Sequence, residues 1–454
     1  MSELLTAKIR RNLGWKAVGL LIEKSLRFVL VALISRALGP KMYGQYTYAI
    51  ALALLLVQMT DMGLGLFLAR EVAKSDAPPA RLIGHVFTLK LALAAGYLLV
   101  IGGLAWWHLA DPVLKESAVF HPRPGALGFT VALAGLASLA VTTIEAIWQV
   151  FRGVQRMELE ARSSSVFAVA QLVSLGLLLA LLPTMPAITA DKGLLMVAIA
   201  SSQLVAGLVG LGYTGLLLFR IVQPEFGLNR PMLTRFTREV LPLGVAIVAS
   251  LIYFKIDVPL LRTLRGDEEV GLYNAAYKLL ENLSVIPSVL LAATFPALSQ
   301  TVDQDPHAAV KLHRTTLYAL MGAGGVAVLI LWAAPALLIG LLNGPEYLGA
   351  VPILQALAPS VLLTFVNYLE THMLIALGLV KSQMAFALAL IAVNVAANLT
   401  FIPIWGGAGS ALATLLTELV LLGFCMPLVH RTLKARVAEA DAQGLLQANT
   451  PVPA

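Results

Sequence analysis

Residues 36–49 read RALGPKMYGQYTYA, and residues 262–276 read RTLRGDEEVGLYNAA. Both stretches contain R-x-L, a short gap that differs by one residue, and then G-x-Y-x-x-A. The shared glycines, Gly44 and Gly271, lie 227 residues apart, which is half of the 454-residue chain. We interpret each glycine as a tight turn and each following tyrosine as a side chain at the level of the lipid headgroups. The match predicts two homologous halves, with a chance match of common interfacial residues as the alternative.

The composition places these halves in a membrane. Hydrophobic residues make up 59% of the chain and charged residues only 13%, whereas about a quarter of a soluble domain is charged. Too few charges remain to cover the surface of a soluble core of this size. The composition therefore excludes a soluble enzyme, a disordered chain and a disulfide-rich secreted domain, and it predicts a polytopic membrane protein.

Apolar stretches of roughly 20 residues, the length that crosses a bilayer as a helix, recur along the chain. Each half holds six of them, so the halves share one topology and are related by an axis along the membrane normal. We expect an all-α membrane protein with about twelve transmembrane helices in two six-helix lobes around a central cavity. The predicted spans are 13–35, 45–66, 86–108, 126–150, 164–183, 194–219, 239–261, 274–297, 316–342, 350–376, 382–403 and 408–430.

Lysine and arginine residues are distributed unevenly between the predicted loops. If the N-terminus is inside, 19 of the 32 lie in inner loops or the tail, 7 in outer loops and 6 within the spans. Cytoplasmic loops are the basic ones, so both termini are expected in the cytoplasm. The same bias explains the net charge of +7 without a nucleic-acid partner. The expected boundaries are an N-lobe at 1–221, a cytoplasmic linker at 222–238, a C-lobe at 239–432 and a cytoplasmic tail at 433–454.

Charged residues within the spans mark the predicted cavity, because a charge that faces lipid at the bilayer centre costs at least about 2.5–3.5 kcal/mol. In the first span, Lys16, Glu23 and Arg27 share one face of the helix at about 100° per residue. The alternative is a set of structural pairs, Glu23 with Arg27 and Lys278 with Glu281. We predict a substrate site made of Lys16, Glu23, Lys24, Arg27, Lys255, Asp257, Lys278 and Glu281.

Isolated acids within the spans are candidates for binding a coupling ion. A buried carboxylate can bind a proton or Na⁺, and this assigns Asp61, Glu145 and Glu370 to ion coupling. The alternative is a hydrogen bond between helices or a place near the membrane surface. We expect Lys90 to lie near the inner surface and to extend its ammonium group into water. Polar residues expected to join helices rather than bind substrate are Gln58, Gln171, Asn367, Asn394 and Asn398.

Signatures of catalysis are absent from the sequence. It contains no G-x-x-x-x-G-K-[ST] motif, so we do not expect the chain to hydrolyse ATP. Its seven histidines are scattered, with no close pair that would predict a metal site. The sequence therefore predicts no catalytic residue, no metal and no cofactor other than a coupling H⁺ or Na⁺.

Residues 33–46, LISRALGPKMYGQY, resemble the S/A-R-x-L-G-P-x-x-Y-G-x-Y signature of bacterial polysaccharide-transport flippases. These are the Wzx-like branch of the multidrug/oligosaccharidyl-lipid/polysaccharide (MOP) exporter superfamily. Residues 61–73, 257–276 and 295–299 fit the same family. The resemblance implies a two-lobed flippase in the bacterial inner membrane that moves undecaprenyl-pyrophosphate-linked oligosaccharides by alternating access. It also implies lipid-linked oligosaccharide, anionic membrane lipids and polysaccharide polymerase machinery as partners.

Three other functions are compatible with a polytopic protein. A multidrug exporter of the same superfamily would need an acidic, apolar pocket, whereas the predicted cavity is basic. A lipid II flippase usually has fourteen helices. A membrane glycan ligase or polymerase would carry a large outer loop, and the longest predicted outer loop, around 109–125, is short. We therefore predict a transporter rather than an enzyme.

Overall fold

The computed structural model of the chain describes residues 2–74, 79–110, 125–241, 244, 248 and 255–448. The side chains of these residues are described except for 2–25, 27, 110, 232, 239, 380, 381 and 443–448. Across the described residues the chain is helical and contains no strand, which confirms the all-α membrane class. Eight helices in this part are long and apolar enough to span a membrane, and one bent pair makes nine. Much of the predicted first and seventh spans lies outside the described side chains, so a total of twelve stays a prediction.

Residues 1–271 form one compact unit, called unit 1 here. Turns of 3-10 helix cover Gln58–Thr60 and Leu182–Thr184, and a π-helical stretch covers Phe236–Val240. The α-helices are α1 (Ser2–Val57), α2 (Leu64–Ala73), α3 (Ala80–Ala110), α4 (Ala126–Gly153), α5 (Met157–Leu181), α6 (Pro186–Ala190), α7 (Lys192–Phe219), α8 (Arg230–Arg235) and α9 (Asp257–Arg265).

Two glycines set the path of the chain at the start of unit 1. Gly39 has φ +73° and breaks α1 into two helices, because only glycine adopts this conformation readily. Pro40 then begins the second of these helices, a position at which proline needs no amide hydrogen. Gly63, with φ +82°, lies in the bend before α2, which turns by 46° from the preceding helix.

Helix α4 lies at the centre of unit 1. It packs against α1, α2, α3, α5 and α7. Of its most apolar 18-residue stretch, 56% is buried, the highest share among the eight long apolar helices described. The outward faces of its neighbours carry large exposed apolar side chains, including Leu99 and Trp106 on α3. In a membrane such side chains face lipid, so the unit has a packed interior and an apolar exterior.

Residues 272–454 form a second compact unit, called unit 2. Helix α10 (Asp267–Leu283) crosses from unit 1 into it, and it is followed by α11 (Val285–Gln304), α12 (Pro306–Ala333), α13 (Pro335–Leu342), α14 (Val351–Ala376) and α15 (Val380–Ala448). Helix α14 packs against α11, α12, α13 and α15 and is the central helix of this unit. Gly406, with φ +58°, divides α15 into two helices that correspond to the last two predicted spans.

The repeat motif is built differently from its predicted form. Gly44 and Gly271 lie inside α1 and α10 and form no turn. The turns lie five residues earlier, at Gly39 and at Gly266, which has φ +89°. The tyrosines that follow the helical glycines, Tyr46 and Tyr273, are buried inside the protein, and their level relative to the lipid headgroups stays a prediction. The repeat itself is strengthened, because Gly39 and Gly266 are counterparts at the same 227-residue offset.

Candidate functional site

A lysine is buried within the apolar length of α3 and is paired with an aspartate. Lys90 lies about 15 Å along α3 from Ala80, and its side chain is 3% exposed. Its Nζ donates a hydrogen bond to Oδ1 of Asp61 across 3.1 Å. The prediction that Lys90 extends its ammonium group into water is therefore wrong, because the Asp61 carboxylate binds this group inside unit 1; its closeness to the inner membrane surface stays a prediction.

The local backbone holds Asp61 in place for this pair. Asp61 follows the 3-10 turn that ends α1 and precedes the bend at Met62 and Gly63. Its Oδ2 accepts the backbone amide hydrogen of Gly65, in the first turn of α2, across 3.4 Å. The amide groups at a helix N-terminus favour a carboxylate. Asp61 is thus stabilised from two sides, by the start of α2 and by Lys90.

Helix α4 adds a second acid and an amide to this pair. The Glu145 side chain is exposed although the residues on either side of it are buried, and its carboxylate interacts electrostatically with Lys90. Gln149 follows one turn later, and its Cγ and the Asp61 carboxylate oxygens lie within 3.1–3.4 Å of where a β-carbon on Gly65 would be. We call Asp61, Lys90, Glu145 and Gln149 the unit 1 cluster. Ionisable groups on spanning helices usually face a bundle interior or a water-filled cavity. We therefore expect the unit 1 cluster to face such an interior or cavity.

A chain of hydrogen bonds fixes α4 next to this cluster. Trp148 Nε1 donates to Ser163 Oγ across 2.8 Å, and Ser163 Oγ lies 2.5 Å from Thr214 Oγ1. The Thr214 hydroxyl also donates to the carbonyl of Gly210. These bonds join α4, α5 and α7 within the buried core. Because they fix the rotation of α4 about its axis, they also set the direction in which Glu145 and Gln149 point.

The second site is a fully buried acid in unit 2. Glu370, on the central helix α14, is 0% exposed, and its Oε1 lies 2.9 Å from Nε2 of His313 on α12. Oε2 of Glu370 has no hydrogen-bond partner among the described residues. We call His313 and Glu370 the unit 2 pair. A histidine and a carboxylate at hydrogen-bond distance, shielded from water, can share and exchange one proton.

Other titratable groups surround the unit 2 pair. Helix α15 contributes Glu418 and Cys425, whose thiol is close enough to interact electrostatically with both acids. His372 lies two residues after Glu370 on α14, stacks on the ring of Tyr368 at 4.6 Å and bonds the Tyr368 carbonyl through Nδ1. A proton bound by the pair is therefore shielded from water. Glu418 is a second acid close to it.

Several polar residues join helices, as predicted. Asn367 Nδ2 donates to Oε2 of Glu418 across 2.6 Å and to the Glu418 carbonyl across 2.8 Å. Asn398 Nδ2 donates to Oδ1 of Asn394, and Ser410 donates to Oδ1 of Asn398. The second bond connects the two parts of α15 across its break at Gly406. Asn394 Nδ2 also donates to Thr417 Oγ1 across 3.4 Å, beyond the same break, so these contacts confirm the prediction that Asn367, Asn394 and Asn398 bind neighbouring helices.

The structure describes half of the predicted substrate residues. The side chains of Lys16, Glu23, Lys24 and Arg27 lie outside the described residues. Lys255 is half-buried, and Asp257 is buried at the start of α9 with Oδ1 accepting the amide hydrogen of Val258. Lys278 Nζ donates to Oε2 of Glu281 across 2.5 Å, which is the paired arrangement that we kept as the alternative. Their role in substrate binding stays a prediction.

Two residues of these sites were missed or misplaced by sequence reasoning. Lys90 interrupts the apolar run 82–107, and a charge in the middle of such a run is itself the signal of a buried pair. His313 carries no comparable signal, because Lys311 and Arg314 beside it are typical of a loop. Among the described residues, no group of three histidine, cysteine or acidic side chains could hold a metal ion.

A family model and a bacterial protein both match this chain over more than half of its length. A family model described as polysaccharide biosynthesis protein matches residues 9–302. A protein of Escherichia coli (strain K12), "Putative O-antigen transporter", is 24% identical over 417 residues, covering 87% of this chain and 93% of that protein.

Two solved structures have a similar fold at low sequence identity. An inward-facing multidrug resistance transporter of the MATE family and the MOP superfamily is 14% identical, with a TM-score of 0.67 over 93% of this chain and 99% of its own. The lipid II flippase MurJ, in an inward closed conformation, is 11% identical, with a TM-score of 0.67 over 96% of this chain and 93% of its own. At such identities the likeness shows a shared fold.

Proposed function

Because the chain belongs to the polysaccharide biosynthesis protein family and is a membrane transporter rather than an enzyme, we propose that it is a lipid-linked oligosaccharide flippase. The family match agrees with the Wzx-like resemblance of residues 33–46. The similarity to an O-antigen transporter supports the same kind of cargo. The fold shared with MOP superfamily transporters supports translocation by alternating access, in a multi-pass protein of the bacterial inner membrane.

The observation that carries this proposal is the unit 1 cluster. Lys90 is held within the apolar length of α3 by Asp61, and the neighbouring helix α4 adds the exposed carboxylate of Glu145 and the half-buried amide of Gln149. Sugars are polar and their carrier phosphates are anionic, so both need polar contacts to cross the hydrocarbon region. Carboxylates and amides hydrogen-bond sugar hydroxyls, while a lysine balances their charge.

We propose that the carrier lipid is an undecaprenyl pyrophosphate. Arginine and lysine suit phosphate groups, arginine with two parallel hydrogen bonds. We assign Lys16, Lys24 and Arg27 of α1, with Lys255 and Lys278, to the pyrophosphate. The acids Glu23, Asp257 and Glu281 would orient these cations or contact sugar hydroxyls. The flipped unit would then be the substrate of polysaccharide polymerase machinery on the outer face.

We assign ion coupling to the unit 2 pair. Of the three acids with this predicted role, Glu370 is buried against a histidine, whereas Asp61 is bound to a lysine and Glu145 is exposed. A buried histidine–carboxylate pair accommodates a proton without an unbalanced charge, so we favour H⁺ over Na⁺ as the coupling ion.

A multidrug exporter and a lipid II flippase are the main alternatives within the same fold. The inward-facing multidrug transporter and the lipid II flippase MurJ both have a TM-score of 0.67 against this chain, so fold alone does not separate the two alternatives. The family match and the similarity to an O-antigen transporter favour a glycan cargo over a cationic drug. A glycan ligase or polymerase has less support, because the relatives found here are transporters.

The decisive experiment is deletion of the gene in its source organism, followed by lipid analysis of the membrane. We expect undecaprenyl-linked repeat units to accumulate on the cytoplasmic side and surface glycan to disappear, with restoration by a plasmid copy. Probing membranes from each side with a glycan-binding lectin gives the sidedness. Normal surface glycan in the mutant overturns the proposal. Accumulation of lipid II instead would assign the chain to the lipid II alternative.

A further inference from the structure

The segment after α7 is fixed against α3. Helix α7 ends at Phe219, and residues 222–229 run without helical structure along the first turns of α3. The amide of Glu225 donates to the carbonyl of Ala80 across 3.1 Å, and the amide of Gly227 donates to Thr88 Oγ1 across 3.0 Å. Gly84 lacks a side chain where the backbone of Glu225 crosses it. This segment is therefore a fixed surface at the end of two spanning helices.

The surface of this segment combines exposed apolar and basic side chains. Phe226 is 61% exposed and Leu228 44% exposed, although neither belongs to a spanning helix. Arg230 and Arg238 follow, and both are exposed. Large apolar residues next to arginines are typical of segments that lie in the interface between water and lipid.

The arginines line one side of a concavity. Arg230, Thr234 and Arg238 lie at i, i+4 and i+8 along α8 and the π-helical stretch, and so they share a face. Together with Pro231 and Arg235 they line an open, shallow groove of about 470 Å³. This volume lies within the range of pockets that hold small ligands.

The charge of this groove is unbalanced. Its fifth residue, Arg235, donates to Glu71 Oε2 across 2.7 Å, but Glu71 also accepts hydrogen bonds from Arg70 and Lys74. One carboxylate thus faces three cations. Among the described side chains, no carboxylate pairs with Arg230 or Arg238. The groove presents at least two arginines whose charge is not neutralised within this part of the chain.

We propose that this groove binds the phosphate headgroup of an anionic membrane phospholipid, with Arg230 and Arg238 as its ligands. Guanidinium groups bind phosphate oxygens with paired hydrogen bonds, and each basic residue near an anionic surface contributes to binding. Phe226 and Leu228 lie on the same segment and suit the boundary between headgroups and acyl chains. The occupant is a bilayer lipid, independent of the transported cargo.

The test uses the full-length protein in nanodiscs made from equal parts of phosphatidylcholine and phosphatidylglycerol. After gentle extraction, native mass spectrometry counts the lipids of each class that remain bound. We expect the wild-type protein to retain phosphatidylglycerol in preference to phosphatidylcholine. The double variant Arg230→Gln/Arg238→Gln should lose this preference by about tenfold or more, on the scale of two basic contacts.

Matched variants separate this site from general charge effects. Arg431→Gln/Lys434→Gln removes two exposed cations from α15 and should leave the preference unchanged, while Arg230→Lys/Arg238→Lys should keep most of it. Thermal unfolding checks that each variant is folded. The proposal is overturned if the glutamine variant retains phosphatidylglycerol like the wild type, if the control pair loses it equally, or if soluble pyrophosphate displaces the lipid.

Discussion

Gly44 and Gly271, the counterpart glycines of the repeat, lie with their backbones in direct contact inside unit 1. A β-carbon on Gly44 would lie 2.9 Å from the amide nitrogen of Gly271 and would overlap the carbonyl oxygen of Asp267. A β-carbon on Gly271 would likewise overlap the carbonyl oxygen of Pro40. Small residues let helix backbones approach this closely in membranes. The repeated glycine is therefore explained by a contact between the two copies of the motif.

The first prediction tests this contact. Gly44→Ala should lower the free energy of unfolding by about 1–3 kcal/mol, as overpacking typically does, because the added methyl group meets backbone that cannot turn away. Gly271→Ala should behave in the same way. Thermal unfolding of the purified protein measures the effect. Gly176→Ala, in α5, is the matched control because open space surrounds that position. Equal melting temperatures for Gly44→Ala and Gly176→Ala would contradict the contact.

Side chains of the two copies also bind each other. Asp267 accepts hydrogen bonds from Arg262 across 2.6 Å and from Gln45 across 2.7 Å. The Arg262 guanidinium lies 4.2 Å from the ring centroid of Tyr48, within the range of a cation–π interaction. The arginine of the second copy thus contacts the aromatic residue of the first. This network gives the arginine of the second copy a role in holding the two copies together.

The sequence predicted the repeat from its spacing but assigned its glycines the wrong role. Spacing reveals that Gly44 and Gly271 are equivalent, whereas their contact depends on how α1 and α10 cross. The same limit applies to Lys90, whose partner Asp61 lies 29 residues earlier. The helical class and most spans were predictable, because the hydrocarbon thickness imposes a length and an apolar composition on each helix. Pairings between helices, such as His313 with Glu370, have no comparable sequence pattern.

The second prediction concerns the charge on Lys90. Lys90→Met leaves Asp61 without its cation and should destabilise unit 1 by about 3 kcal/mol, the low end for a broken buried pair, since Asp61 is partly exposed. Adding Asp61→Asn should restore most of the stability, because no uncompensated charge remains. Export of surface glycan should stay defective in the double variant if the cluster contacts the cargo. Thermal unfolding and a complementation assay measure the two effects separately.

The third prediction concerns the position of α4. Trp148→Phe keeps the ring but removes the hydrogen bond to Ser163, and it should cost about 0.5–1.5 kcal/mol of stability. Trp106→Phe is the matched control, because Trp106 is exposed on the outer face of α3 and its loss should change little. Melting temperatures of the two variants in the same detergent make the comparison. A larger loss for Trp106→Phe would show that the buried chain does not hold α4.

The last prediction tests the unit 2 pair as the proton site. Glu370→Gln keeps a hydrogen-bonding group next to His313 but cannot exchange a proton at the same position, so the protein should fold and lose its response to a proton gradient. Coupling between two sites is typically worth about 1–3 kcal/mol, roughly 5- to 150-fold. We expect gradient-stimulated translocation of a lipid-linked oligosaccharide in proteoliposomes to fall by a factor within this range. The rate without a gradient should change much less.

A second histidine–carboxylate pair provides the control. His307 lies 2.8 Å from Asp441, but both side chains are about 60% exposed, so this pair is not shielded from water. His307→Gln should therefore leave the gradient response unchanged, whereas His313→Gln should abolish it. If both histidine variants respond like the wild type, or if a sodium gradient alone drives translocation in all of them, H⁺ coupling at Glu370 is wrong. The two pairs differ in the burial of the carboxylate, which is complete for Glu370 and slight for Asp441. A proton shielded from water is bound with a free energy that depends on the conformation of the surrounding helices. We therefore expect coupling at the unit 2 pair and not at the exposed pair.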